Sequence, residues 1–267
     1  MRQLNWFCNI SPIIQAFIAC LFTWLVTSLG ALTVFFFKSI NKKVLDTVLG
    51  FSAGIMIAAS FWSLIAPALD LSESLGYIVW LLPALGFIIG GLFVLLSDKF
   101  LDRALNGNNK INKGSLKKNI LLICAITIHN IPEGMAVGVA FGGLSSGVSG
   151  MSLVGALMLT LGIGVQNFPE GAAVSLPLRS EGLSRTKSFI LGTLSAIVEP
   201  VAAVIGAILV TYVNSILPFL LSFAAGCMIL VAVRELLPES FEKNKNLSTL
   251  GFIIGFVIMM VLDVALG

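Results

Sequence analysis

The chain contains one histidine, His129, and it stands four residues before Glu133. The segment His129-Asn130-Ile131-Pro132-Glu133-Gly134 has a near copy in Gln166-Asn167-Phe168-Pro169-Glu170-Gly171, at an offset of 37 residues. On a helix, positions four apart share a face, so His129 pairs with Glu133, and Gln166 with Glu170. Asn130 and Asn167 are adjacent and add amide oxygens. Pro132 and Pro169 cannot donate to the carbonyls of Ile128 and Val165. Each proline is expected to kink its helix and leave a carbonyl toward the same space. Crossing two such helices gathers one imidazole, two carboxylates and several amide oxygens. Glu199, followed by Pro200, adds a third carboxylate in an apolar segment and is expected to join or bridge this group. Met56 offers a soft thioether to the site or simply packs. Three carboxylates with one imidazole and no nearby lysine are very unfavourable in an empty apolar setting. A divalent cation resolves that charge, and mixed imidazole and carboxylate donors suit zinc, iron(II), manganese or cadmium.

The elements that must position these groups are membrane-spanning helices. Of 267 residues, 57% are hydrophobic and 11% are charged, against about 25% charged in soluble domains. The mean hydropathy is +1.02. Apolar runs recur at the length of roughly 20 residues that a helix needs to cross hydrocarbon. They are continuous, which excludes the alternation of a transmembrane β-barrel. The fold class read here is an all-α membrane protein with eight spans, at 12–37, 45–69, 77–96, 119–143, 152–178, 188–212, 216–238 and 249–266. The whole chain, 1–267, is a single transmembrane transport domain.

Loop charges orient the spans. Lys38, Lys42 and Lys43 follow span one; Lys99, Arg103, Lys110, Lys113, Lys117 and Lys118 follow span three. Arg179, Arg185 and Lys187 follow span five, and Lys243 and Lys245 follow span seven. The opposite side holds only Arg2, which places both termini outside. The basic 97–118 loop, rich in asparagine (Asn106, Asn108, Asn109, Asn112), is then a flexible cytoplasmic tether that touches anionic lipid. It has no histidine or cysteine for metal sensing.

Two internal repeats add a symmetry. Phe51-Ser-Ala-Gly-Ile-Met-Ile in span two matches Phe223-Ala-Ala-Gly-Cys-Met-Ile in span seven at an offset of 172, beside the span four and five pair at 37. Both pairs are an odd number of spans apart and therefore antiparallel. A 3+2+3 inverted repeat has this property, with spans 1–3 related to 6–8 and spans four and five exchanging at the centre. Secondary carriers with this build bind substrate near the midplane.

Several classes are excluded or disfavoured. Cys8, Cys20, Cys124 and Cys227 lack CxxC spacing and indicate no disulfide framework or thiolate site. HExxH is absent and a lone histidine cannot supply two zinc ligands, so the chain is not read as an intramembrane metalloprotease or any other enzyme. An acidic site argues against organic anions. The basic loops give no reason to expect nucleic acid. Arg234 and Glu235 are expected to pair with each other or with Glu239 near the cytoplasmic mouth. A channel-like metal pore stays open beside a carrier, which the inverted repeat favours.

On these motifs, with Ala173-Val-Ser-Leu-Pro-Leu-Arg179 and Val198-Glu-Pro200, the chain resembles the ZIP (Zrt/Irt-like) divalent metal transporters, especially the GufA-like branch. The resemblance covers essentially the whole chain. It implies that Met56, His129, Glu133, Gln166 and Glu170 form one metal site. It implies a second, bridged site from Asn130, Glu133, Asn167, Glu170 and Glu199. It also implies import of zinc or a related ion into the cytoplasm across the cell or inner membrane, a rocking or elevator-like motion, and a homodimer. Metal is substrate here, and no permanent cofactor is expected. Some relatives carry an acid where Asn167 stands, and His or an acid where Arg234 stands.

Overall fold

The computed structural model describes residues 5–37, 41–106, 114–144, 152–180, 182–212 and 214–266. Of the loop residues above, Arg2, Lys38, Asn108, Asn109, Lys110, Asn112 and Lys113 lie outside this range. Among the described residues there are helices and no strand. After a short helix at Asn5–Cys8, the helices form rods named here α1 to α8. They are α1 (Pro12–Leu32, tightening to a 3-10 turn at Thr33–Phe35), α2 (Lys42–Ser74), α3 (Leu81–Asn106) and α4 (Gly114–Gly143). They continue with α5 (Leu153–Ser180), α6 (Arg185–Leu194 and Val198–Tyr212), α7 (Leu217–Ser240) and α8 (Lys245–Leu266). Five of them, α1, α2, α6, α7 and α8, are long and apolar enough to cross a membrane, and the chain is a membrane protein.

Side-chain oxygens start several rods. Ser11 accepts from the Ile14 amide ahead of α1, Asn41 from the Lys43 amide ahead of α2, and Ser184 from the Lys187 amide ahead of α6, each satisfying an otherwise orphaned donor. The boundaries depart from the expected spans in two places. Helix α3 runs on to Asn106 and α4 begins at Gly114, so helix occupies both ends of the expected 97–118 loop. The polar residues there carry no hydrophobic signal, but nothing in them breaks a helix.

The second departure is in α6, which is interrupted at 195–197. Pro200 has no amide to give to the Ala196 carbonyl, and the Glu199 amide turns to that carbonyl instead, at 3.0 Å. The Ser195 carbonyl is thereby released from its usual helical partner.

Both α2 and α7 widen into a π-helical turn, at Ser60–Ile65 and Ala232–Leu236. The Ala66 amide reaches back five residues to Phe61, and the Leu237 amide five residues to Ala232. A proline follows each turn, Pro67 and Pro238, and removes an amide that an α-turn would have used. The two turns start 172 residues apart, at the offset of the sequence repeat.

The packing repeats in the same way. The most extensive pairings are α2 with α8, α3 with α7, α4 with α6 and α1 with α5. A Cβ on Gly255 of α8 would collide with the Phe51 carbonyl of α2, and one on Gly90 of α3 with the Phe223 carbonyl of α7. Likewise, Gly134 of α4 sits on the Glu199 backbone of α6 and Gly171 of α5 on the Thr27 backbone of α1. Absent side chains let these backbones meet directly.

Candidate metal centre

Helices α4 and α5 run through Pro132 and Pro169 without interruption and bring their matching motifs side by side. A cavity of about 430 Å³ opens between them, α2 and α7. Its wall includes Met56, His129, Glu133, Gln166, Glu170 and Glu235. The first four of these are between 2% and 4% exposed, whereas Glu170 is half-buried. Lys42 and Glu239, both exposed, stand at the open end.

Gln166 Nε2 donates to Glu133 Oε1 at 2.6 Å. This bond joins α5 to α4 and fixes the amide's orientation; among the described residues, Gln166 Oε1 and Glu133 Oε2 have no donor. Glu235 Oε1 lies 3.0 Å from His129 Nε2. That contact differs from the expected pairing of Glu235 with Arg234 or Glu239: the widened turn of α7 aims the carboxylate into the cavity.

Behind the cavity lies a polar layer with no exposed surface, made by Asn130, Asn167 and Glu199. Asn130 Nδ2 donates at 3.0 Å to the Ser195 carbonyl, the group released by the break in α6. Asn167 Nδ2 stands 3.4 Å from the Thr23 carbonyl of α1, the position related to Ser195 by the 172-residue offset. Here, however, a carboxylate competes. Asn167 Nδ2 lies 2.9 and 3.0 Å from the two oxygens of Glu199, and the Thr23 hydroxyl donates to the same carboxylate. Again the amides are oriented by donation, and Asn130 Oδ1 and Asn167 Oδ1 have no partner among the described residues.

The structure therefore lines one cavity with Met56, His129, Glu133, Gln166 and Glu170. It sets Asn130, Asn167 and Glu199 in an adjacent layer that is not part of the cavity wall. Among the described residues, no three His, Cys, Asp or Glu side chains gather closely enough to hold a metal ion alone. Amide oxygens and the Met56 sulfur are further donors that line or adjoin the cavity. Sequence reasoning missed Thr23 and the Ser195 carbonyl. A threonine in an apolar helix usually bonds its own backbone, so nothing in α1 distinguished Thr23. Pro200 was the available signal for Ser195.

A second cavity, of about 410 Å³, lies toward the other end of α2 and is lined by Trp62, Ser63, Leu159 and Asp263 among others. The Ser63 hydroxyl donates to Asp263 Oδ1 at 2.6 Å.

The family described as ZIP Zinc transporter matches this chain over residues 10–119 and 115–263. Zinc transporter ZIP11 of Homo sapiens is 36% identical, over 96% of this chain and 98% of the relative. Zinc transporter GufA of Myxococcus xanthus is 34% identical over 94% and 98%. Zinc transporter ZIPB of Bordetella bronchiseptica is 35% identical over 90% and 78%.

Proposed function

Because this chain belongs to the ZIP zinc transporter family, we propose that it carries divalent metal into the cytoplasm. Zinc is the first substrate, with cadmium, iron(II) and manganese as competitors. Met56, His129, Glu133, Gln166 and Glu170 hold the ion in the cavity. Asn130, Asn167 and Glu199 hold a second ion beside it, sharing Glu133 and Glu170 with the first.

One observation carries this reading. Among the described residues, the buried oxygens that lack a donor include four from these motifs, Asn130 Oδ1, Glu133 Oε2, Gln166 Oε1 and Asn167 Oδ1. All four are acceptors, and they come from the two matching motifs. Orphaned buried acceptors cost about 1–3 kcal/mol each, and a cation satisfies several together. His129 and Met56 add softer donors that favour zinc or cadmium over magnesium or calcium. Glu199 already accepts from Thr23 and Asn167, yet a carboxylate retains further lone pairs for a metal.

The 172-residue offset of the π-helical turns, and the matched pairing of α2 with α8 and α7 with α3, support eight spans in a 3+2+3 inverted repeat. Such a repeat suits alternating access around a midplane site. The loop lysines and arginines assign the Lys42 end of the cavity to the cytoplasm and both termini to the outside of the cell or inner membrane. A homodimer is part of the same proposal.

Metal uptake into proteoliposomes tests the reading, with zinc, cadmium, manganese and iron(II) in competition. Wild type is expected to saturate and His129→Ala to fall to background. Uptake by His129→Ala at the wild-type rate rejects the site. Flux that rises linearly with concentration indicates a pore instead of a carrier.

A further inference from the structure

Helix α2 presents one stripe of side chains to the main cavity: Lys42, Leu45, Leu49, Ser52 and Met56, three or four residues apart. From the mouth inward, two leucines follow the exposed lysine before any donor is met. Ser52 is that donor, one helical turn short of Met56. It is 3% exposed, and among the described residues its hydroxyl has no hydrogen-bond partner.

A hydroxyl inside a helix commonly returns to the carbonyl four residues back. On α2, Thr47 does so to Lys43 and Ser60 to Met56, each at 2.7 Å. Ser52 makes no such bond. The buried hydroxyls of Ser72, Ser188, Thr193 and Ser222 also lack a partner among the described residues, but none of them lines the main cavity. The 172-residue offset that relates Met56 to Met228 relates Ser52 to Ala224. The other half of the repeat therefore has the thioether without the hydroxyl.

We propose that Ser52 is a specificity-determining ligand, an oxygen donor for harder ions beside the Met56 sulfur that serves softer ones. This role rests on the reading of the cavity as the metal site. A hydroxyl has two lone pairs and can hold an ion through one of them without giving up its proton. Side chains on a helix lean toward its N-terminus, over the preceding turn. The Met56 thioether therefore reaches back toward Ser52, about 6 Å away along the axis, and both donors serve one part of a cavity of about 430 Å³. Thioether sulfur suits soft ions, whereas oxygen donors suit manganese. Cadmium is held through Met56, manganese through Ser52, and zinc, between them in character, uses both.

Calorimetric titration of the purified full chain with manganese, zinc and cadmium in turn tests this, together with metal-free melting in detergent. Wild type, Ser52→Ala, Ser52→Thr and His129→Ala are compared. Ser52→Ala is expected to bind manganese about fivefold more weakly, the worth of one neutral oxygen contact, with cadmium unchanged and zinc between the two. Ser52→Thr keeps the hydroxyl and is expected to restore manganese. Metal-free Ser52→Ala is expected to melt no lower than wild type, because no hydrogen bond is lost. A lower melting temperature makes Ser52 a structural residue and overturns the proposal. So does equal weakening of manganese and cadmium, no change in either, or a wild type that takes no manganese. His129→Ala separates the two readings. Wild-type affinity for all three ions in that variant sinks the cavity as the metal site. Lost affinity there, with Ser52→Ala matching wild type for every ion, sinks only the role of Ser52.

Discussion

Helices α4 and α5 carry the same Asn-x-Pro-Glu-Gly motif, yet their asparagines do different things. On α4, Asn130 donates to the Ser195 carbonyl, which the break in α6 has released. On α5, Asn167 faces the equivalent Thr23 carbonyl, but α1 runs unbroken and that contact lengthens to 3.4 Å. Its amide is drawn instead to Glu199. No carboxylate answers Glu199 on α1, where the equivalent residue is Thr27. A repeated motif therefore sets the backbone geometry of both halves. The residues that face it from α1 and α6 decide what each half holds.

Substitutions at paired positions are the way to break that comparison. The largest difference is expected between the two glutamates. Glu133 is buried and bonded across the helix pair, whereas Glu170 is half-buried. Glu133→Ala should lower zinc affinity by more than about 100-fold, beyond the loss of an outer partner, and Glu170→Ala by about 10-fold. Equal losses in calorimetric titration would mean that the ion does not distinguish α4 from α5. Next come the asparagines. Asn167→Ala removes the donor to both Glu199 oxygens and should cost about 2 kcal/mol of stability, against about 1 kcal/mol for Asn130→Ala, whose partner is a single carbonyl. Thermal melting in detergent ranks the two, and the reverse order would contradict the roles given to Ser195 and Glu199. The smallest effect restores symmetry. Gln166→His supplies a second imidazole and is expected to tighten zinc binding about 3-fold, because it gives up the bond to Glu133, worth about 1 kcal/mol or more. Weakened binding would show that this bond outweighs the added nitrogen.

Much of this was legible beforehand because it depends on spacing. The four-residue intervals of His129 with Glu133 and Gln166 with Glu170 put their side chains on the wall of one cavity. Met56, which the sequence left between ligand and packing, lines the same cavity. What spacing could not supply was the far side of each contact. Thr23 is an ordinary threonine until α1 is laid against α6. Glu235 reaches His129 because α7 widens by one residue per turn ahead of Pro238. Helix ends were also poorly marked: α3 continues to Asn106 on residues whose polarity made them look like loop, because hydropathy reports solvent preference and not backbone conformation.

Glycine meets a carbonyl at four helix pairs, at Gly255 on Phe51, Gly90 on Phe223, Gly134 on Glu199 and Gly171 on Thr27. A main chain seated in such a notch cannot creep along its neighbour by fractions of a residue. At three of the four the next residue along, Met135, Ala172 or Phe256, carries a Cβ that would strike the same carbonyl; at Gly90 it is a second glycine. Each pair is therefore keyed like a gear tooth, and the eight rods count mechanically as four girders. Whatever travels during transport must slip between girders, along seams where side chains and not backbones touch.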